Sequence, residues 1–263
     1  MAFLVGLHKR GLKYSAFQTA RAAINNFVQI CGGTDFSSHY LIKRFMQGIH
    51  NIKPSLPRYD TIWDVQVVLS HMEKMKNLTL LELSSKLCML FLLVTAQRCQ
   101  TLHLIEMDDL HFRENSLEIK TNHVLKQTRP GYHLHDIVLD RYHNNNLCII
   151  ETLNEYLQRT QGLRTDKKLL VSTQKPHQGV SQATVSRWVK ILMLKAGIKK
   201  QFGVHSTRAA STSAARAKGV PIASIIKTAG WSNARTFEKF YHRTLPKEDQ
   251  PLSFQSAILS KDH

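Results

Sequence analysis

Apolar positions along residues 14–31, YSAFQTARAAINNFVQIC, fall at Phe17, Ala20, Ala23, Ile24, Phe27 and Val28, and this spacing predicts an amphipathic helix with Ser15 as its cap. A second short helix is expected over 37–48, SHYLIKRFMQGI, carrying Lys43 and Arg44. The segment NIKPSLPRYD then places Pro54 and Pro57 close together, which sets a domain boundary at about 50 to 60. Beyond it, WDVQVVLSHMEK reads as a helix and LTLLELSSKLCMLFLLVTA as a long, mostly buried one. The period changes at 117–119, 123–125 and 133–139, where short β-compatible pieces alternate with polar and Pro-Gly turns, as in a small antiparallel sheet. Helical spacing returns over 147–159, 181–196 and from 206, with loops at 143–146 and 164–168. A helix beginning at Pro221 and stopped by Gly230 precedes another from about Asn233. The pattern predicts a mainly α fold with a small antiparallel β-sheet, and it contains no internal repeat or coiled-coil heptad.

Charge sharpens this picture. The 263 residues carry 36 Lys and Arg against 19 Asp and Glu, a net charge of +17 before any histidine is protonated. Such a surplus attracts polyanions, with DNA or RNA the first candidates and ribosome or membrane surfaces the alternatives. The apolar run Leu87–Val94 is far too short to span a bilayer, so no membrane association is expected. The start MAFLVGLHKRG lacks the apolar core and cleavage site of a secretory signal. Cysteines at 31, 88, 99 and 148 form no CxxC pair, which argues against a zinc site and a disulfide scaffold and favours a reducing cytosol or nucleus. Cys88 lies within the apolar run and reads as a buried small hydrophobe.

Candidate chemistry clusters late in the chain. In VHSTRAASTSAARAKG, His205 and Arg208 are three apart and share one helical face, so both can address one anion. Arginine offers forked donors to a phosphate and histidine a proton near neutral pH, while the Ala and Ser that follow keep the helix slim. Trp231 follows Gly230, either with its indole N–H toward a phosphate oxygen or as a buried anchor. Tyr241 stands in FEKFYHR beside basic neighbours. The two flanking helices also have the spacing of a helix-turn-helix reader, a purely binding alternative. Arg98, at the end of the most buried helix, must face a ligand or pair with Glu106, Asp108 or Asp109. Lys126, in LKQTRPG between β pieces, can carry an ammonium into a cleft. Two guanidiniums, a lysine, a histidine, an indole donor and a tyrosine together suit phosphodiester transfer without a metal or other cofactor. The carboxylates of EMDD at 106–109 lack the second set that a metal-dependent nuclease needs.

The ordered set Arg98, Lys126, His205, Arg208, Trp231 and Tyr241 resembles that of the tyrosine recombinases, the phage-integrase-like family. The phrases AQRCQTLHLIEMDDL, HSTRAASTSAA and AGWSNARTFEKFYHR are similar to the eukaryotic branch carried by DIRS-like and Crypton-type transposable elements, which implies a nuclear protein. The resemblance covers about residues 60–245. It implies a partial helical core-binding domain at 1–52, a catalytic domain at 53–246 and a C-terminal tail at 247–263. It also implies double-stranded DNA as partner, dimers or a tetrameric synapse on that DNA, and a 3′-phosphotyrosyl intermediate made by Tyr241. In that chemistry Arg98 and Arg208 hold the phosphoryl oxygens, Lys126 protonates the leaving oxygen, His205 assists proton transfer and Trp231 donates a hydrogen bond. Thr101 stands where the family commonly has an acidic residue. Tyr241 is ten residues after Trp231 rather than the usual nine, so a loop or bulge is expected to absorb a rotation of about 100°. The alternative is a recombinase-derived chain that binds DNA without cutting it.

Overall fold

The computed structural model describes residues 2–54, 56, 58–121, 123–125, 128, 133, 135–241 and 243. The chain divides into two compact units, Met1–Arg58 and Tyr59–His263. The first contains α1 (Ala2–Lys9), α2 (Tyr14–Ile30) and α3 (Tyr40–Ile52), closed over Leu4, Leu7, Phe17, Ile42, Met46 and Ile49. Ser15 does not cap α2. Lys13 occupies the cap position, and Ser15 already lies inside the helix, its carbonyl accepting from the Thr19 hydroxyl. The helix expected from residue 37 starts at Tyr40 because buried Asn25 holds the preceding backbone in a turn, its Oδ1 accepting from the amides of Phe36 and Ser37.

The second unit is organised around α5 (Leu80–Thr95), which packs against α7 (Ile149–Thr160), α8 (Gln182–Lys195) and α9 (Ser206–Ala217). Nearly every side chain from Leu83 to Thr95 is buried, as expected of a helix apolar all round. Thr79 and Glu82 close a reciprocal capping box at its start. Before it lies α4 (Val65–Glu73), and after it come α6 (Cys99–Leu104) and a 3₁₀ turn at Met107–Asp109. Two shorter helices, α10 (Ile222–Ala229) and α11 (Ala234–Phe240), end the described core. Cys88 is fully buried, and desolvation raises its thiol well above the ordinary value. Among the described residues no helix is long and apolar enough to cross a membrane.

The sheet is three-stranded and antiparallel, in the order β1 (Leu110–Phe112), β2 (Ser116–Ile119), β3 (Ile137–Asp140). Leu117 pairs with Phe112 on one side and Leu139 on the other. Its composition differs from the expectation. Residues 123–125 form no strand: the Leu125 amide donates to the Thr128 hydroxyl and the Thr128 amide returns to the Leu125 carbonyl, making a turn instead of a ladder. The strand expected over 133–139 is confined to its last part, and β1, which the spacing did not signal, takes the vacant edge. A three-residue strand is too short for a period of two to register.

One interaction in this unit makes its stability depend on pH. The ammonium of Lys195 bonds to Glu82 at 3.0 Å and, with the Thr79 amide and hydroxyl, pulls the Glu82 carboxyl down to about 2. A depressed carboxylate stabilises the fold above its ordinary value of 4.5, and that contribution is lost as pH falls toward about 2. Replacing Glu82→Gln is therefore expected to lower the urea midpoint at neutral pH, with the gap to the parent protein closing progressively between those two values.

Candidate active site

Three elements converge at the end of α5. Thr95 closes that helix, and Ala96 follows in a left-handed conformation at φ 50° that a residue with a Cβ adopts only under constraint. The chain then turns through Gln97 into Arg98, the N-cap residue of α6. Gln97 is buried and donates to the carbonyl of Thr228, in the last turn of α10, at 2.7 Å. Gly230 ends α10 in the left-handed region at φ 64°, as expected of a residue without a side chain.

Arg208 joins these pieces. It lies on α9, only 2% exposed, and its guanidinium donates to the carbonyl of Ala96 at 2.7 Å and to that of Ala229 through a second short bond. The same group sits over the Trp231 ring at 4.5 Å and the Tyr241 ring at 5.6 Å. Those two rings are 4.7 Å apart, and Phe237 packs on Trp231 at 5.6 Å. The structure thus assembles Arg208, Trp231 and Tyr241 into one cluster, with Ile225, Ala229 and Phe237 as its apolar floor.

Trp231 is the buried anchor of the two alternatives, at 6% exposure, yet its indole Nε1 finds no acceptor among the described residues. A buried N–H without a partner costs about 1–3 kcal/mol. The ring is thus packed as an anchor while its indole N–H meets no acceptor among the described residues. His205 is exposed at the N-cap of α9, and Arg98 is half-buried two residues beyond the Ala96 carbonyl that Arg208 holds. The carboxylates weighed as partners for Arg98 also bond other side chains: Glu106 to Lys168, Asp108 to Lys167 and Asp109 to His123. Lys126 lies outside the described residues.

Of the loop or bulge expected between Trp231 and Tyr241, the structure has a loop: residues 231–233 are non-helical and precede α11. Helix α11 runs regularly from Ala234 to Phe240, and the Tyr241 amide continues its ladder by donating to the Phe237 carbonyl at 2.8 Å. Tyr241 follows Phe237 by one turn, so both rings reach Trp231. Thr101 is buried, its hydroxyl turned to the Gln97 side chain at 3.4 Å, so it braces the segment leading to Arg98.

Sequence spacing missed three residues of this assembly: Gln97, Trp63 and Ser213. Trp63 donates its buried indole N–H to the Ser206 hydroxyl at 2.8 Å across 143 positions and so fixes the start of α9 between His205 and Arg208. Partners so distant in sequence leave no periodic trace. Among the described residues, no group of three or more His, Cys, Asp or Glu side chains is arranged as metal ligands would be. Replacing Arg208→Lys keeps the charge but not the fork that spans two carbonyls. It is expected to lower the unfolding free energy by about 3 kcal/mol, measured by urea denaturation.

The profile of the Phage integrase family matches residues 64–247. No curated protein is significantly similar in sequence. Among solved structures, the XerH site-specific recombinase bound to palindromic difH substrate, a post-cleavage complex, superposes with a TM-score of 0.65 at 16% identity, over 92% of this chain and 67% of that one. The Tn1549 transposon integrase in complex with transposon right end DNA gives 0.63 at 13% identity, over 98% and 81%. A lambda integrase dimer bound to a COC′ core site gives 0.58 at 17% identity, over 96% and 81%. These identities speak for the fold, while the profile spans most of the chain and encloses Arg98, Lys126, His205, Arg208, Trp231 and Tyr241: the protein belongs to the Phage integrase, or tyrosine recombinase, family.

Proposed function

We propose that this protein cuts and rejoins duplex DNA in site-specific recombination or in integration of a mobile element, through a 3′-phosphotyrosyl intermediate on Tyr241. The observation that carries this reading is the stack of Arg208, Trp231 and Tyr241, with a buried indole donor that no described group of the chain occupies. A nucleophile, a fixed cation and an unused donor in one cluster suit attack on a phosphodiester.

In the proposed step the Tyr241 hydroxyl oxygen bonds to phosphorus, and the bond from phosphorus to the 5′ oxygen breaks. The tyrosine proton passes toward His205, and the departing 5′ oxygen takes a proton from Lys126. Arg98, Arg208 and the Trp231 indole balance the charge on the nonbridging oxygens. The phosphotyrosine retains the energy of the broken bond, so a 5′-hydroxyl reverses the reaction without ATP or another cofactor. The surplus of 17 positive charges favours phosphate contacts over the length of a duplex. Partners on that reading are double-stranded DNA and further copies of the chain, as dimers or a tetrameric synapse. XerH, the Tn1549 integrase and the lambda integrase are each seen with DNA, and the lambda enzyme also as a tetramer on a Holliday junction, which supports this assignment. Origin in a DIRS-like or Crypton-type element, and with it a nuclear location, rests on the phrases around Arg98, His205 and Tyr241.

The test is a randomised library of nicked duplexes that traps cleavage, followed by a search for denaturant-resistant adducts. An adduct that disappears in Tyr241→Phe is the expected result. Salt-sensitive binding without any adduct, under conditions where another family member forms one, would overturn it in favour of a non-cutting DNA-binding protein. Trp231→Phe keeps the packing but loses the N–H, and is expected to slow adduct formation about a hundredfold while DNA affinity changes little. Lys126→Ala is expected to fail on ordinary DNA and to recover on DNA whose scissile 5′ oxygen is replaced by sulfur, because a thiolate leaves without being protonated.

A further inference from the structure

Hydroxyl side chains on the helices of this protein mostly turn back on their own helix. Ser84, Ser85, Thr95, Thr152, Thr160 and Thr212 each donate to the carbonyl four residues earlier. Ser213 does not. It lies on α9, 3% exposed, and its Oγ donates to the carbonyl of Tyr241 at 2.8 Å while accepting from the amide of Arg243 at 3.0 Å.

Both backbone groups lie at the open end of α11, where the ladder supplies no partner for the last carbonyls. Tyr241 is one residue beyond the regular helix, the place where a short helix frays most readily. Its own amide is held by Phe237, and Phe237 is anchored in the apolar floor at 1% exposure. Downstream of that anchor, the Ser213 hydroxyl takes up the facing carbonyl and amide of residues 241 and 243 at once. Since Ser213 and Arg208 share α9, the helix that carries the buried guanidinium also grips the backbone of the nucleophile.

We infer that Ser213 is a positioning residue for Tyr241, clipping the nucleophile into the site of its own chain. The inference rests on the recombinase reading for its effect on rate, though the clip itself is a property of the fold. It acts on the backbone, leaving the tyrosine hydroxyl to react, and its loss frees the Tyr241 carbonyl and the Arg243 amide from α9. The consequence is a slower attack with unchanged capture of DNA, because Ser213 is buried and its hydroxyl is taken up by the backbone.

The experiment compares the full chain with Ser213→Ala, which removes both bonds, and Ser213→Thr, which retains a hydroxyl. Two readouts are taken: the rate of adduct formation on the duplex selected from the nicked library, and hydrogen exchange of the peptide spanning 234–243. The expected result is at least a tenfold slower adduct and at least tenfold faster exchange in Ser213→Ala, both recovered in Ser213→Thr, with DNA affinity and melting midpoint near the parent's. An adduct rate and exchange within twofold of the parent in Ser213→Ala would overturn the inference. So would a loss that Ser213→Thr fails to recover and that melting and DNA affinity share, since that is a general packing defect. If the parent itself forms no adduct, the recombinase reading fails separately, and unchanged exchange in Ser213→Ala then overturns the clip.

Discussion

The buried guanidinium of Arg208 is the constraint on which the site depends. A cation removed from water is tolerated only when its donors are met, and here two of them reach the carbonyls that end α5 and α10. Those carbonyls are exposed by helix termination: Ala96 and Gly230 both turn left-handed, so the final carbonyls of each helix point away from any ladder. One side chain therefore answers two helix ends and brings the segment leading to Arg98 beside the segment leading to Trp231. The strain at Ala96, about 1–2 kcal/mol for a left-handed residue with a Cβ, is offset by the bond its carbonyl receives.

Around that point the remaining contacts divide the labour. Gln97 repeats the link between α5 and α10 through Thr228, Trp63 fixes the start of α9 through Ser206, and Ser213 reaches the end of α11. Each is a side chain bonded to a partner more than twenty-five positions away, and each is buried or largely so. Such bonds exclude competing arrangements more strongly than apolar packing does, because a misplaced partner leaves an unpaired polar group in a dry interior. Ile225, Ala229, Phe237 and the Trp231 ring form the apolar floor, and the indole N–H meets no acceptor among the described residues.

The mostly helical architecture was legible in the chain because apolar spacing reports directly on which face of a helix is buried: α2, α4, α5, α7, α8, α9 and α10 stand close to where the spacing puts them. Capping was less legible. Ser15 has the right chemistry but the wrong place, since the helix had already begun, and Asn25 delayed α3 by a bond made eleven and twelve positions away. In the sheet, β1 escaped notice because its three residues pair with β2 across a tight turn, and the expected strand at 123–125 was displaced by the local exchange between Leu125 and Thr128.

Of the candidate site, the sequence by itself determined the set of candidates and their order: Arg98, Lys126, His205, Arg208, Trp231 and Tyr241. It also determined the charge that suits a polyanion. Tertiary structure decided where Arg208, Trp231 and Tyr241 stand relative to one another. Arg208 became the pin between two helix ends, Trp231 combined packing with an open donor, and Tyr241 reached both by regular continuation of α11. The reason is one of range. Helix spacing is set by neighbours three and four residues apart, whereas the roles of these side chains are set by carbonyls and rings up to 112 positions away, which become neighbours only when the core closes.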